Sequence, residues 1–219
     1  MRISLGSSVF LWAAIASALS AAPVLAEGPT ADGSARPECA HDREATLALE
    51  FVAFDQTEGK GWRPLNDAQC YVEAAELLRG WQARRSGDFD LAKPDDRFKA
   101  EILRWHEAQM WAFGNRTDLA LPLFATTRRK SESSSDVAWN YYVDGTLAFL
   151  QRNRPGLEDA IAGLAVVPKP PGWDNARGAD GQPISMRWPQ NLDVLDGLLR
   201  CWEQPYAVAY VCRDIQKLR

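Results

Sequence analysis

RWHEAQMWAFGNRTDLALPLF, residues 104–124, admits two readings, and the choice between them decides the fold. His106 followed by Glu107 is how a zinc-hydrolase helix begins, but that chemistry needs a second histidine four residues after the first, so that both imidazoles reach one metal. Met110 holds that position, and the only other histidine is His41. No group of cysteines and histidines has ligand spacing, so neither a metal nor a cofactor is expected. His106 is expected on a helix face, hydrogen-bonded or exposed. The other reading is a helical hairpin. Apolar residues recur at helical spacing on both sides of Gly114-Asn115-Arg116, after which Thr117 can cap a second helix.

The same spacing continues outward in both directions. It predicts eight helices, at about 42–55, 66–85, 95–113, 117–129, 136–152, 157–167, 192–202 and 205–217, and no alternating strand pattern interrupts them. The expected fold is all-α, four antiparallel pairs in a single domain over 42–219. Pro94 with Asp95 and Asp96 suits a helix start, because proline lacks a donor that is unused there and acids favour the positive helix end. Asn191 is a suitable cap for the seventh helix. Two connections are longer than simple turns: residues 55–66, and a loop over 168–190 that holds Trp173 and Trp188. A loop of that length in a compact domain is usually functional or disordered.

Within the central hairpin, Ala108, Trp111, Ala120 and Phe124 fall as small, large, small and large residues across two helices. This arrangement resembles the tetratricopeptide repeat, and over 95–167 the chain looks like a member of that helix-turn-helix family. The resemblance implies a stacked, TPR-like α-solenoid of hairpins, because a solitary hairpin cannot cover its own apolar face. Ala112-Phe113 is echoed by Ala148-Phe149, and Leu119-Ala120-Leu121 by Asp159-Ala160-Ile161. Gly145 stands where the family has a helix former, and the turn after Gly114 is one residue longer than usual.

The chain opens with Arg2, an apolar run from Val9 to Leu19, and small residues ending at Ala26. That is the pattern of an export signal over 1–26, cut before Glu27, followed by a loose Gly- and Pro-rich leader over 27–41. The apolar run is too short for a comfortable membrane span, and no later run is longer, so no stable membrane insertion is expected after cleavage. Loss of Arg2 takes the net charge from −4 to −5, which opposes attraction to a phosphate backbone and makes nucleic acid an unlikely partner. Arg128-Arg129-Lys130 is read as a set of cations offsetting the carbonyls of a helix end. Cys39, Cys70, Cys201 and Cys212 all follow the cut, an even number that in an exported chain points to two disulfides, with three pairings open. Together these features place the protein in the periplasm or outside the cell.

No catalytic residues are expected. There is no G-x-S-x-G and no S-x-x-K, Gly59-Lys60-Gly61 lacks the rest of a phosphate loop, and acid pairs such as Glu73/Glu76 and Glu158/Asp159 read as solvated helix faces. Trp62, Trp173 and Trp188 lie in connections, where a ring either packs down its own loop or anchors a ligand. They are the best candidates for binding. The leading expectation is a noncatalytic envelope protein that binds a protein or peptide partner. A carbohydrate or cell-wall binding module using the loop tryptophans is second, and an envelope hydrolase third.

Overall fold

A computed structural model describes residues 36–175 and 187–213 of the chain, and among these every regular element is helical. The expected all-α fold is what the chain adopts. Its α-helices are α1 (Arg43–Leu47), α2 (Arg63–Asp67), α3 (Tyr71–Arg84), α4 (Pro94–Phe113), α5 (Thr117–Ala125), α6 (Ser134–Leu150), α7 (Arg154–Ala165), α8 (Leu192–Arg200) and α9 (Tyr206–Tyr210). The expected export signal, the leader up to residue 35, the middle of the long loop at 176–186 and the C-terminal residues 214–219 lie outside the described residues. None of the described helices is long and apolar enough to cross a membrane.

Local chemistry places the helix ends. Pro94 opens α4 with Asp95 and Asp96 in its first turn, Ser133 caps α6 through the Asp136 N–H, and Asn153 caps α7 through that of Gly156. The turn after α4 is closed by three bonds: Gly114 N–H to Met110 O (3.0 Å), Asn115 N–H to Ala112 O (3.1 Å) and Arg116 N–H to Trp111 O (2.8 Å). Asn115, at φ 58°, takes the left-handed position of this cap. The same three bonds recur after α6 at Gln151, Arg152 and Asn153, and after α2 at Ala68, Gln69 and Cys70, with Arg152 and Gln69 left-handed. The α4 and α6 turns are thus 37 positions apart, Gly114 matching Gln151. In that register Ala112 corresponds to Phe149, and Ala120 to Leu157. The two sequence echoes, which matched Ala112 to Ala148 and Ala120 to Ala160, are therefore out of step with the backbone.

Packing joins α3 to α4, α4 to α5, α6 to α7 and α7 to α8, and α9 returns to α4, where Phe113 meets Tyr206 and Tyr210 at 5.4 and 5.2 Å between ring centres. Ala108, Trp111, Ala120 and Phe124 are all buried in the core. Trp105 is a hub, with its ring 4.6 Å from Phe124 and 4.7 Å from both Trp139 and Tyr142. Gly145 on α6 admits α8, since a Cβ there would sit 2.7 Å from the Leu195 methyls.

The N-terminal third departs from the expected helices. A continuous helix over 42–55 is replaced by α1, a bend, and a π-helical turn at Val52–Gln56. The carbonyls that a continuous helix would use are taken from outside: Trp81 Nε1 donates to Leu49 O at 2.8 Å and Arg85 Nη2 to Ala48 O at 3.0 Å. The expected helix at 66–85 starts earlier, at Arg63, and is cut by the left-handed Gln69 just before Cys70. Cys70 bonds to Cys39 and Cys201 to Cys212, which resolves the open pairing. Closing the 31-residue separation between the first pair corresponds to about 3–4 kcal/mol of denatured-state entropy. The leader is accordingly not loose throughout, because Pro37–Cys39 forms a short helical turn with Cys39 buried.

Candidate functional site

His106 and Glu107 end up in two separate buried networks. Asp55 is fully buried on the π-helical turn, and its Oδ1 accepts from Trp62 Nε1 at 2.9 Å and from His106 Nδ1 at 2.7 Å, while Oδ2 accepts from Gln56. An ionised carboxylate can only accept, so Nδ1 of His106 carries the proton. Burial alone would raise the Asp55 pKa, but the hydrogen bond and charge of His106, together with the Trp62 and Gln56 donors, outweigh it and hold the carboxyl below its ordinary value. The turn over residues 59–61 lies directly on this centre. Gly61, at φ 60°, would bring a Cβ to 1.8 Å from Phe54 O. Glu107 accepts from Gln82 Nε2 at 2.8 Å, Trp111 Nε1 at 3.2 Å and Arg79 Nε at 3.4 Å, tying α3 to α4. An Asp–His pair can orient a general base, and the Asp55 bond is the only side-chain hydrogen bond of His106 among the described residues.

The three loop tryptophans do not share a site. Trp62 is 3% exposed, with its indole N–H spent on Asp55, so its ring holds down its own connection and offers no ligand platform. Trp173 and Trp188 do meet, at 4.8 Å between ring centres and 68° between planes, and Trp188 Nε1 donates to Val167 O at 2.9 Å. Both rings are half-buried. Among the described residues, ligand atoms suited to a metal come together only at Cys39, Cys70 and Glu73, where both sulfurs are bonded to each other.

A concavity lies elsewhere, between the first half of α4 and residues 126–136, with a volume of about 530 Å³. Its α4 wall presents Arg97, Glu101 and Arg104, which at spacings of four and three share one helix face. Its second wall is the segment that carries Arg128-Arg129-Lys130. These cations were expected in the last turn of a helix, but α5 stops at Ala125 and they lie beyond it, where Arg128 and Arg129 pair sideways. Arg129 forms a fork to Glu101, Nε to Oε1 at 2.8 Å and to Oε2 at 3.0 Å, with its guanidinium 4.7 Å from the Trp139 ring centre, while Arg128 pairs with Asp144. Asn140 fixes this wall by accepting from Arg129 N–H at 2.8 Å and donating to Arg129 O at 2.9 Å, and Trp139 Nε1 donates to Thr127 O at 2.7 Å.

Three cations of this groove, Arg97, Arg104 and Lys130, have no carboxylate partner among the described residues. Leu91, 57% exposed, and Phe98, 53% exposed, line the same groove. Neither Arg97, Phe98 nor Arg104 stood out in the sequence as a binding residue. Their signal was present in the α4 stripe, but a stripe of mixed charge reads as a solvated face until the opposite wall is known. No known protein family, curated protein or solved structure matches the chain.

Proposed function

We propose that the protein is an exported, noncatalytic helical-repeat protein that binds a segment of another protein in the groove between α4 and residues 126–136. The observation that carries this reading is the combination in one concavity of a wall braced by Asn140 and Trp139, three cations without partners, and two exposed apolar side chains. Preorganised walls lower the ordering cost of binding, and charged and apolar groups side by side suit a polypeptide better than a purely polar ligand. The TPR-like assignment is supported by the identical caps that close α4 and α6 in a 37-residue register, close to the length of that repeat. Export to an oxidising compartment is supported by two disulfides that use all four cysteines, together with the signal-like start of the chain.

A photo-activatable benzophenone in place of Phe98, compared with one at exposed Val166 on the far end of α7, tests the reading. Defined protein adducts at position 98 and none at 166 are expected in envelope preparations, and equal patterns would remove the claim. N-terminal sequencing of the accumulated protein is expected to start at or beside Glu27.

The ring pair Trp173/Trp188 favours a second reading, a carbohydrate or cell-wall binding module, because aromatic faces can stack on sugars. Sedimentation with insoluble cell-wall glycan, lost on changing both residues to Ala, would support it.

A further inference from the structure

The groove also carries information about what it binds. Its charges sort into two sets. Arg128 and Arg129 are neutralised by Asp144, Glu101 and, at 3.9 Å, Asp136. Arg97, Arg104 and Lys130 are not neutralised, and only Glu132 opposes them as a carboxylate of the groove without a partner of its own. The protein as a whole has a net charge of −4, so this excess of positive charge is local and runs against the global balance. A uniformly charged polyanion would meet the repulsion of the rest of the surface, whereas a short acidic stretch would feel mainly the groove.

The spacing narrows the ligand further. Arg97 and Arg104 stand two turns apart on α4, about 10 Å along the axis. In an extended polyproline-type segment, residues three positions apart lie on the same side about 9 Å from each other. Phe98 and Leu91 adjoin the Arg97 end and call for an apolar side chain beside the first acid.

We infer that the groove receives an extended acidic segment of a partner protein, in which two carboxylates three positions apart meet Arg97 and Arg104, Lys130 adds a third contact, and an adjoining apolar side chain covers Phe98 and Leu91. This inference rests on the reading of the groove as a protein-binding site and specifies its ligand.

The test is fluorescence anisotropy with the purified chain and a labelled, capped twelve-residue peptide that carries two glutamates three positions apart, with leucine beside the first. Binding that weakens with added salt is expected, along with its loss when both glutamates are replaced by glutamine. R97A/R104A should weaken binding by about tenfold or more, the scale of losing hydrogen bonds to charged groups. K130A should weaken it less, and E132Q should strengthen it. These side chains line the groove and make no side-chain hydrogen bonds or ion pairs among the described residues, and the urea midpoint of each variant confirms folding. Equal binding of the glutamate and glutamine peptides, or unchanged binding by a folded R97A/R104A chain, overturns the inference. So does tighter binding of a soluble uronic-acid polymer, which would assign the groove to an anionic glycan. If the peptide fails while adducts at position 98 persist, only the acidic specificity falls; if both fail, the protein-binding reading falls with it.

Discussion

Helix α4 holds charge at both ends, and the two ends use it differently. Toward its C-terminus, His106 and Glu107 turn into the packed interior, where the Asp55 carboxylate alone satisfies donors from His106, Trp62 and Gln56. Toward its N-terminus, Glu101 is matched by Arg129, but Arg97 and Arg104 are left over. Removing charge from water costs several kcal/mol unless partners replace the solvent, so the buried end had to be completed internally. The open end stayed hydrated and could keep its cations for a ligand. In this molecule a perturbed, fully bonded ionisable group therefore marks architecture, and the ordinary-looking surface arginines mark the candidate site.

Mutations can break this contrast. The largest effect is expected from Asp55→Ala, which leaves three donors facing a cavity. A loss of about 3–5 kcal/mol in urea unfolding is expected, and a loss under 1 kcal/mol would mean that the Asp55 centre does not hold the N-terminal third in place. Gly61→Ala should follow at about 2–3 kcal/mol, because the new Cβ meets the Phe54 backbone and the left-handed φ is strained for alanine.

Acid sharpens the comparison. The Asp55 pKa is lowered on folding, so its contribution is complete above the unfolded aspartate value of about 3.9 and is lost as pH falls below that value through the folded one. Urea midpoints should therefore drop below about pH 4, and the drop should be shallower in Asp55→Asn. The smallest effect is expected at the groove: Arg97→Ala with Lys130→Ala should change stability by no more than about 0.5 kcal/mol, since neither side chain has a partner among the described residues, while ligand binding falls.

Much of the helical framework was legible along the chain. Six of the eight expected segments correspond to α4 to α9, because i, i+3, i+4 spacing acts within a turn or two. But α5 ends at Ala125 and α9 at Tyr210, short of 129 and 217, and neither expected cap forms: Arg116 holds the cap position before α5, and Asn191 makes no side-chain capping bond. The first two segments failed where distant groups intervened, Trp81 and Arg85 bonding the carbonyls at Ala48 and Leu49, and Cys39 holding Cys70. Trp62 read as a possible ligand anchor because its partner, Asp55, was hidden in what looked like ordinary helix.

By itself the sequence determined the helical class, the central hairpin and the presence of two disulfides, since these depend on local periodicity, turn chemistry and counting. Which cysteines pair, which carboxylate meets His106 from 51 positions away, and which arginines have no partner among the described residues were decided only when the helices packed. The reason is that charge neutralisation is set by distance in space, and the tertiary fold brings Glu101 to Arg129 while leaving Arg97 and the half-buried Arg104 without a carboxylate partner among the described residues.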